Sequence, residues 1–343
     1  MTQFYFAISG LARDLPVPAA LSKPPDWIPE QAWDDSDLWI LLAFSPRMAD
    51  TIRMQKIRKV VFPVGGLGTR FLPATKSMPK EMLPVVDKPL IHYAFEEARE
   101  AGIEQFIFVT GRNKHAIEDH FDIAYELDRS LGDKQKDAAL ASIRDWLPEP
   151  GNVTFLRQQA PMGLGHAVWC ARHVVGDEPF AVILADDLVS APKACLKQMV
   201  EAYADLGPVN MAAVMDVPRE KTASYGILKT LSDNGKLVEA GGLVEKPKPE
   251  DAPSTTSIIG RYILQPSIFQ QLEGQKQGAG GEIQLTDAMS GMIGKTKFYG
   301  YRFDGIRYDC GEVAGYVEAN VALSMQRPEL AGKLREKLKP LIA

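Results

Sequence analysis

Three short runs of apolar residues constrain the fold of this chain more than any other feature. They are residues 60–64 (VVFPV), 106–109 (FIFV) and 180–184 (FAVIL), and helical patterns lie between them. A strand that is apolar along its whole length must be covered on both faces, as in a parallel sheet packed between helices. The chain therefore predicts an α/β fold of Rossmann-like type, with a mostly parallel, mixed sheet flanked by helices.

The pattern changes after about residue 205. Further strands are predicted at residues 211–214, 226–229 and 258–264, and they indicate a smaller antiparallel region added to the first sheet. A final helical pattern covers residues 313–341. We expect one domain over residues 54–327 and a C-terminal helical tail over residues 328–343.

Residues 1–53 differ in composition from the rest of the chain. They contain three of the five tryptophans, a proline-rich stretch over 16–29, and no sustained helical or strand period. Two interpretations stay open. In one, Met54 is the natural initiator and residues 1–53 are an upstream extension; in the other, they form an N-terminal arm that packs its tryptophans on the body or on a partner.

Composition excludes several classes of protein. The chain of 343 residues is 45% hydrophobic and 24% charged, which is typical of soluble globular proteins. A net charge of −5 disfavours a nucleic-acid binder, and the apolar run at residues 38–44 is too short to cross a bilayer. Cys170, Cys195 and Cys310 stand far apart, which fits a reducing compartment. We expect a cytoplasmic protein with no nucleic-acid or membrane partner.

The first run is followed by a glycine-rich turn, residues 65–70 (GGLGTR). Glycines allow a close backbone approach to phosphate, so the candidate nucleotide-binding residues are Gly65, Gly66, Gly68 and Thr69, with Arg70 adding charge. A simple tight turn would show the same glycines. An NAD-binding oxidoreductase is disfavoured, because the third glycine of GxGxxG would fall at Phe71. No Gly-Lys-Ser/Thr follows, so the P-loop pattern fails as well.

A lysine between prolines, Lys80 in residues 79–85 (PKEMLPV), follows the glycine turn. Taken together, the two segments resemble the motif of sugar-phosphate nucleotidylyltransferases. The similarity extends over residues 57–325 and is greatest to the bacterial branch that uses UTP and glucose 1-phosphate. The resemblance implies a GT-A-like nucleotidyltransferase fold. It also implies attack by the sugar phosphate on the α-phosphate of UTP, with catalytic roles for Arg70, Lys80, Asp186 and Lys246.

Other segments match the same family in order. The resemblance places base recognition at Gln158 and Gly163, and an Mg²⁺ site at Asp186 and Asp309. It places sugar binding at Gly226, Glu245, Lys246 and Gly260, with Glu245 on the sugar hydroxyls and Lys246 on the phosphate. Asp187 stands where relatives vary and receives less weight.

Two positions depart from the family pattern. Gly66 stands where alanine is usual, and Val313 occupies a common lysine position. Three alternative functions remain: a thymidylyltransferase of the same fold, a catalytically silent sugar-nucleotide sensor and, least favoured, the oxidoreductase. By analogy with the family, we expect a homodimer or homotetramer.

Overall fold

The computed structural model describes residues 56–274, 278 and 281–341. Residues 1–53 and Met54 lie outside the described ranges, and so do both interpretations offered for them, the upstream extension and the N-terminal arm. Within the described ranges, no helix combines the length and the apolar composition needed to cross a bilayer.

A nine-stranded sheet forms the centre of the unit that begins at Ile57, in the spatial order β5-β4-β1-β6-β11-β8-β12-β10-β9. Two small pairings, β2 with β3 and β7 with β13, lie outside it. In chain order the strands are β1 (Lys59–Pro63), β2 (Pro84–Val85), β3 (Lys88–Pro89), β4 (Gln105–Thr110), β5 (Val153–Arg157), β6 (Phe180–Ile183), β7 (Asp187–Ser190), β8 (Asn210–Asp216), β9 (Gly226–Asp233), β10 (Leu237–Glu245), β11 (Thr256–Leu264), β12 (Phe298–Arg302) and β13 (Ile306–Asp309).

Helices cover the sheet and extend the C-terminal end. They are α1 (Leu90–Glu100), α2 (His115–His120), α3 (Tyr125–Asp133), α4 (Asp137–Arg144), α5 (Leu164–Cys170), α6 (Arg172–Val175), α7 (Cys195–Leu206), α8 (Ile268–Glu273), α9 (Leu285–Met292), α10 (Val313–Met325) and α11 (Pro328–Leu338). Short 3₁₀ turns occupy Thr69–Phe71, Ala74–Lys76, Lys80–Met82, Arg219–Ser224 and Lys339–Leu341.

The predicted α/β fold is confirmed, but the sheet is less parallel than expected. Strands β5, β4, β1 and β6 run parallel. Strand β11 then pairs antiparallel with both β6 and β8, and β10 pairs antiparallel with β9 and β12. The later strands therefore continue the same sheet. The antiparallel pairing predicted for the second half is confirmed for β9 and β11, but β8 to β12 supply five of the nine strands, so this part of the sheet is larger than predicted.

Two hydrophobic cores cover the two faces of the sheet. Successive residues of β1 face opposite sides, so Val61 belongs to one core, while Val60 and Phe62 belong to the other. Helix α5 contributes Val168 to the first core, and α1 contributes Phe95 to the second. Complete burial of such side chains stabilises the fold by about 1.5–3 kcal/mol each. This packing explains why β1, β4 and β6 read as continuous apolar runs.

A third cluster lies beneath the loops that follow the strands. Its members come from segments next to predicted site residues: Phe71, Leu83, Val85, Leu90, Leu188, Tyr308, Cys310 and Ala319. Phe71 follows Arg70, and Leu83 lies three residues after Lys80, while Tyr308 and Cys310 flank Asp309. The third cluster therefore holds together several segments that are distant in sequence.

A buried ion pair joins the sheet to the helices on one face. Arg261 of β11 donates from Nε and Nη2 to the two carboxylate oxygens of Glu97 on α1, at 2.9 and 2.8 Å. Glu97 Oε1 also accepts from the backbone N–H of Leu196 on α7 at 3.0 Å. The Arg261 and Glu97 side chains are only 2% and 9% exposed. Removal of either partner would leave an uncompensated buried charge.

We expect Glu97→Ala to lower the free energy of unfolding by about 3–5 kcal/mol, because Arg261 would lose its counter-charge inside the protein. Urea unfolding followed by circular dichroism measures this loss. As a control, Glu201→Ala removes the partner of Lys193 from an exposed ion pair and should leave the unfolding midpoint nearly unchanged. Equal midpoints for the two variants would contradict the structural role of the buried pair.

Candidate active site

A cavity of about 210 Å³ opens beyond the end of β6, where Leu184 and Asp186 line it. This is the edge at which α/β sheets commonly bind ligands, outside the carboxyl ends of the strands. Seven of the predicted site residues line it: Arg70, Asp186, Gly226, Glu245, Lys246, Gly260 and Asp309. Residues that are up to 239 positions apart in the chain therefore meet in one place, as the prediction requires.

Lys80 reaches the same site from outside the lining of the cavity. Its Nζ donates to Asp186 Oδ2 at 2.5 Å, across 106 residues of sequence. Burial disfavours the charge on each group, but their mutual attraction outweighs it, raising the pKa of Lys80 and lowering that of Asp186. Both groups are therefore charged at neutral pH. The Lys80 ammonium and the Asp186 carboxylate therefore lie beside the cavity as charged groups.

The glycine-rich turn packs against Lys80. Gly68 has a φ of +65°, and a Cβ at this position would lie 3.1 Å from Lys80 Cβ. Thr75 Oγ1 donates to the Gly68 carbonyl at 2.7 Å and fixes the turn from the other side. Gly66 and Thr69 are exposed, and a Cβ on Gly66 would meet no atom within 4 Å. Alanine would fit at this position, so the departure at Gly66 carries no steric consequence.

Arg70 is exposed at the start of the cavity. Within the part of the chain that the structure describes, it forms no hydrogen bond or ion pair. Its guanidinium is therefore available to an anion. The predicted pairing of a glycine turn with a charged side chain is present in the structure.

Asp186 and Asp309 converge on Gly311. A Cβ on Gly311 would lie 3.1 Å from Asp186 Oδ2 and 3.0 Å from Asp309 Oδ1, so the bare glycine leaves space between the carboxylates. Among the described residues, no group of three or more His, Cys, Asp or Glu side chains could hold a metal. Two carboxylates fit Mg²⁺, which takes few protein oxygens and completes its shell with phosphate and water. The donor set therefore suits a divalent ion that binds together with a phosphate ligand.

Asp187 received little weight in the prediction and Arg307 received no role, yet the two form the most connected ion pair of the site. Arg307 Nε donates to Asp187 Oδ1 at 2.6 Å, and Nη2 contacts both that oxygen and Asp309 Oδ2. Arg307 Nη1 also donates to Tyr225 Oη at 3.0 Å. Burial opposes the charge on Arg307, but the carboxylates outweigh it and raise its pKa.

The alternation of side chains along β13 is the one sequence pattern that indicates the ion pair of Arg307 and Asp187. Arg307 and Asp309 are two residues apart on β13, so their side chains lie on the same face. Asp309 pairs directly with Asp187 of β7 in the antiparallel register. Two carboxylates opposite each other repel, and a cation beside them offsets that repulsion. The register itself could not be read from the sequence.

Asp187 also fixes the position of β11. Its Oδ2 accepts from the backbone N–H of Gly260 at 2.7 Å. Both oxygens of Asp187 are therefore engaged, whereas the contact of Asp186 with Lys80 uses Oδ2. A Cβ on Gly260 would lie 2.6 Å from Leu184 Cβ and 2.7 Å from Asp187 Oδ2. Gly260 lines the cavity, and its lack of a side chain permits the approach of Asp187.

The opposite wall of the cavity carries Glu245 and Lys246. The Glu245 side chain is 13% exposed, whereas that of Lys246 is 55% exposed and lies 3.2 Å from Glu245 Oε1 through its Nζ. Gly226 pairs with Glu245, and a Cβ there would lie 3.3 Å from Glu245 Oε2. Lys246 has a φ of +46°, which is uncommon for a residue with a side chain. The backbone at this point is therefore held in a sparsely populated conformation.

A second group of predicted residues, Gly65, Gln158 and Gly163, lies outside the lining of the cavity. Gln158 is buried and donates from Nε2 to the Gly163 carbonyl at 3.1 Å. A Cβ on Gly65 would lie 3.1 Å from Gln158 Oε1. At Gly163 a Cβ would lie 2.7 Å from Glu282 Cβ, so this glycine also permits close packing against the segment that precedes α9.

Comparison with known proteins places this site in a family context. A family model described as nucleotidyl transferase matches residues 59–326. The chain is 52% identical over 258 residues to a UTP–glucose-1-phosphate uridylyltransferase of Komagataeibacter xylinus, covering 75% of this chain and 90% of the relative. A divalent metal is typical of the family.

Two solved structures are also similar. One is a UDP-glucose pyrophosphorylase complexed with UDP-glucose, with a TM-score of 0.73 and 45% identity, covering 79% of this chain and 100% of that one. The other is a UTP-bound UGPase from Acinetobacter baumannii, with a TM-score of 0.76 and 40% identity, covering 82% and 98%.

We expect Gly260→Ala to lower the free energy of unfolding by about 1–3 kcal/mol, because the new methyl group overlaps Leu184 and displaces Asp187. Gly242→Ala on β10 is the matched control, since its Cβ would meet no atom closer than 3.7 Å. Its effect should stay within about 0.5 kcal/mol. Denaturant unfolding of both variants measures the difference, and equal stability would contradict the close packing at Gly260.

Proposed function

The chain belongs to the nucleotidyl transferase family, and from that premise we propose that it transfers the uridylyl group of UTP to glucose 1-phosphate, giving UDP-glucose and pyrophosphate. One observation carries the proposal. The contact between Lys80 and Asp186 lies beside a cavity that has Arg70 and Asp309 nearby and Glu245 and Lys246 on the opposite wall. Cations and carboxylates on both sides suit two phosphate-bearing substrates and a divalent ion.

The reaction is an in-line displacement at phosphorus. An oxygen of the sugar phosphate forms a bond to the α-phosphorus of UTP, while the bond from that phosphorus to the bridging oxygen of the β-phosphate breaks. The electron pair leaves with pyrophosphate. The attacking phosphate is already ionised near neutral pH, so no general base is needed. Catalysis then consists of positioning the two anions and neutralising the charge that develops.

Three cationic side chains lie at different positions around the cavity, and each would bind a different phosphate. Arg70 is free at the glycine turn and would bind the phosphates that leave as pyrophosphate. Lys80 is close to Asp186 and would stabilise charge on the transferred phosphate. Lys246, which is largely exposed on the opposite wall, would bind the phosphate of the sugar, while Glu245 accepts hydrogen bonds from sugar hydroxyls.

Asp186 and Asp309 would hold Mg²⁺. When bound, this ion supplies a Lewis acid that offsets negative charge on the transferred phosphate. The support for the site is the pair of carboxylates that converge on Gly311. Asp187 takes no part as a ligand in this proposal. Arg307 and Gly260 engage both of its oxygens, and its side chain is 11% exposed, against 26% for Asp186 and 34% for Asp309.

The base of the nucleotide would lie near Gly65, Gln158 and Gly163. An amide side chain both donates and accepts, and it can therefore hydrogen-bond the polar edge of a pyrimidine. Uracil and thymine share that edge and differ by one methyl group, a difference worth only about 1–3 kcal/mol in a close-fitting pocket. A thymidylyltransferase is for this reason the alternative nearest to the proposal.

We also propose that the protein works in the cytoplasm as a homodimer or homotetramer. Cys170, Cys195 and Cys310 are free thiols, and the latter two are buried. Free cysteines suit a reducing compartment. The oligomeric state rests on analogy with the family, and sedimentation of the purified full chain tests it.

Pyrophosphate release from the purified protein tests the proposed reaction. With Mg²⁺ and glucose 1-phosphate, we expect release with UTP and much less with dTTP. Preference for dTTP would retain the site but overturn the base assignment. Absence of release with either nucleotide would favour the silent sugar-nucleotide sensor.

We expect Lys80→Ala to lower kcat by about 10²–10³-fold, because a preorganised charge at the transferred phosphate is lost. Thermal unfolding should show that the fold remains intact. Lys236→Ala is the control, since Lys236 is half-exposed and pairs with Asp304 away from the cavity. An unchanged rate for Lys80→Ala at saturating Mg²⁺ would remove this lysine from the mechanism.

We expect Asp186→Asn to abolish metal-dependent turnover, and Asp309→Asn to raise the Mg²⁺ concentration needed for half the maximal rate, because each loses a charged oxygen ligand. Titration of the initial rate with Mg²⁺ measures both effects. Asp205→Asn, on the exposed end of α7, should behave as the unmodified protein. Normal turnover and normal Mg²⁺ dependence in Asp186→Asn would refute the metal assignment.

A further inference from the structure

The orientation of the Gln158 amide is determined by its neighbours. Nε2 lies 3.1 Å from the Gly163 carbonyl oxygen and 3.0 Å from His166 Nδ1. A carbonyl oxygen only accepts hydrogen bonds, so the group facing it must be the NH₂ and not the amide oxygen. One N–H is therefore donated to Gly163, and the other points at His166.

This arrangement specifies the tautomer of His166. Its Nδ1 faces a donor and must present a lone pair, so the ring carries its proton on Nε2. The Cys170 thiol lies 3.9 Å from Nδ1 and is a second donor facing that nitrogen. Burial of the ring and, after it, the charge of Arg172 lower the pKa of His166, which keeps the ring neutral at neutral pH.

Stacking holds the imidazole in place. The ring stacks on Trp169, with centroids 5.7 Å apart and an angle of 24° between the planes. The Arg172 guanidinium lies 3.4 Å from the centroid of the Trp169 ring. All of these residues lie on or next to α5, so the helix fixes His166 relative to Gly163 at its start.

The remaining polar atom, Gln158 Oε1, points towards Gly65, 3.1 Å from the place that a Cβ would take. Both side-chain hydrogen bonds of Gln158 to described residues use Nε2, and none ends on Oε1. Oε1 is a hydrogen-bond acceptor beside the glycine-rich turn, so a ligand that pairs with it must present an N–H donor. Uracil and thymine carry such a donor at N3, whereas cytosine has a lone pair there.

We propose that His166 is a positioning residue for base selection: through its Nδ1 lone pair it holds the Gln158 amide so that Oε1 accepts from the N3–H of the base. The selected class is a nucleotide with an imide edge, and cytosine is rejected because two acceptors would face each other. This inference rests on the proposed function, since it requires the base to lie beside Gln158 and Gly65.

The test compares His166→Leu with His166→Asn. Both replace the ring by a side chain branched at Cγ, and both lose the stacking on Trp169, but only asparagine retains an acceptor close to the position of Nδ1. We expect His166→Leu to raise the Kd and KM for UTP about three- to tenfold, the effect of one lost hydrogen bond, with little change in kcat. His166→Asn should stay within about twofold of the unmodified protein.

Nucleotide preference provides a second readout. In His166→Leu, the ratio of kcat/KM for UTP over CTP should fall about three- to tenfold, since only the Gly163 carbonyl then opposes a turn of the amide NH₂ towards cytosine. The ratio for UTP over dTTP should not change, because both bases present the same N3–H. If His166→Leu does not fold, His166→Phe lacks the same acceptor and keeps an aromatic ring against Trp169.

A double-mutant cycle separates positioning from a merely structural role. If His166 acts through Gln158, His166→Leu should have no further effect on UTP binding when it is added to Gln158→Leu. Equal Kd values and equal UTP-to-CTP ratios for His166→Leu and His166→Asn would overturn the inference, as would additive effects in the cycle. The unmodified protein tests the function itself: without UTP-dependent pyrophosphate release the proposed reaction fails, whatever the variants show.

Discussion

Burial of the Arg307 guanidinium between Asp187 and Asp309 is the constraint on which the geometry of the candidate site depends. A charge that is 8% exposed is tolerated only when carboxylates surround it. Here the counter-charges come from two strands that pair antiparallel, so the ion pair also relieves the repulsion between the carboxylates. The same guanidinium reaches Tyr225, and Asp187 reaches Gly260. The contacts of Arg307 and its two carboxylate partners therefore set the relative positions of β7, β13, β11 and the start of β9.

Apolar packing and bare glycines complete this framework. The third cluster lies under the segments that carry Arg70, Lys80 and Asp309, and it gives these polar groups a common rigid base. A charged or polar residue approaches the backbone closely at Gly68, Gly260 and Gly311, and the absence of a side chain at these positions permits it. The apolar cluster and the glycines thus hold the proposed catalytic groups in place without taking part in the reaction. A site held in this way is preorganised for charged substrates.

Prediction from the sequence succeeded where local pattern and motif agreed. The apolar runs gave β1, β4 and β6, and the family resemblance indicated Arg70, Asp186, Glu245, Lys246 and Asp309, which line one cavity. The antiparallel character predicted for the second half is confirmed, but the sheet as a whole is less parallel than predicted, because β11 pairs antiparallel with β6 as well as β8 and the later strands extend the same sheet. Arg307 was missed as a site residue, because its importance comes from strand register and not from local sequence.

The amino-acid sequence by itself determined the α/β class, the glycine-rich turn after the first strand and the residue types available for chemistry, since these follow from periodicity and local backbone preference. Only the tertiary structure decided which groups meet. Lys80 and Asp186 are 106 residues apart, and Arg307 and Asp187 are 120 apart. Contacts of this range depend on strand order, register and the burial of charge, and these are properties of the packed molecule that no short stretch of sequence encodes.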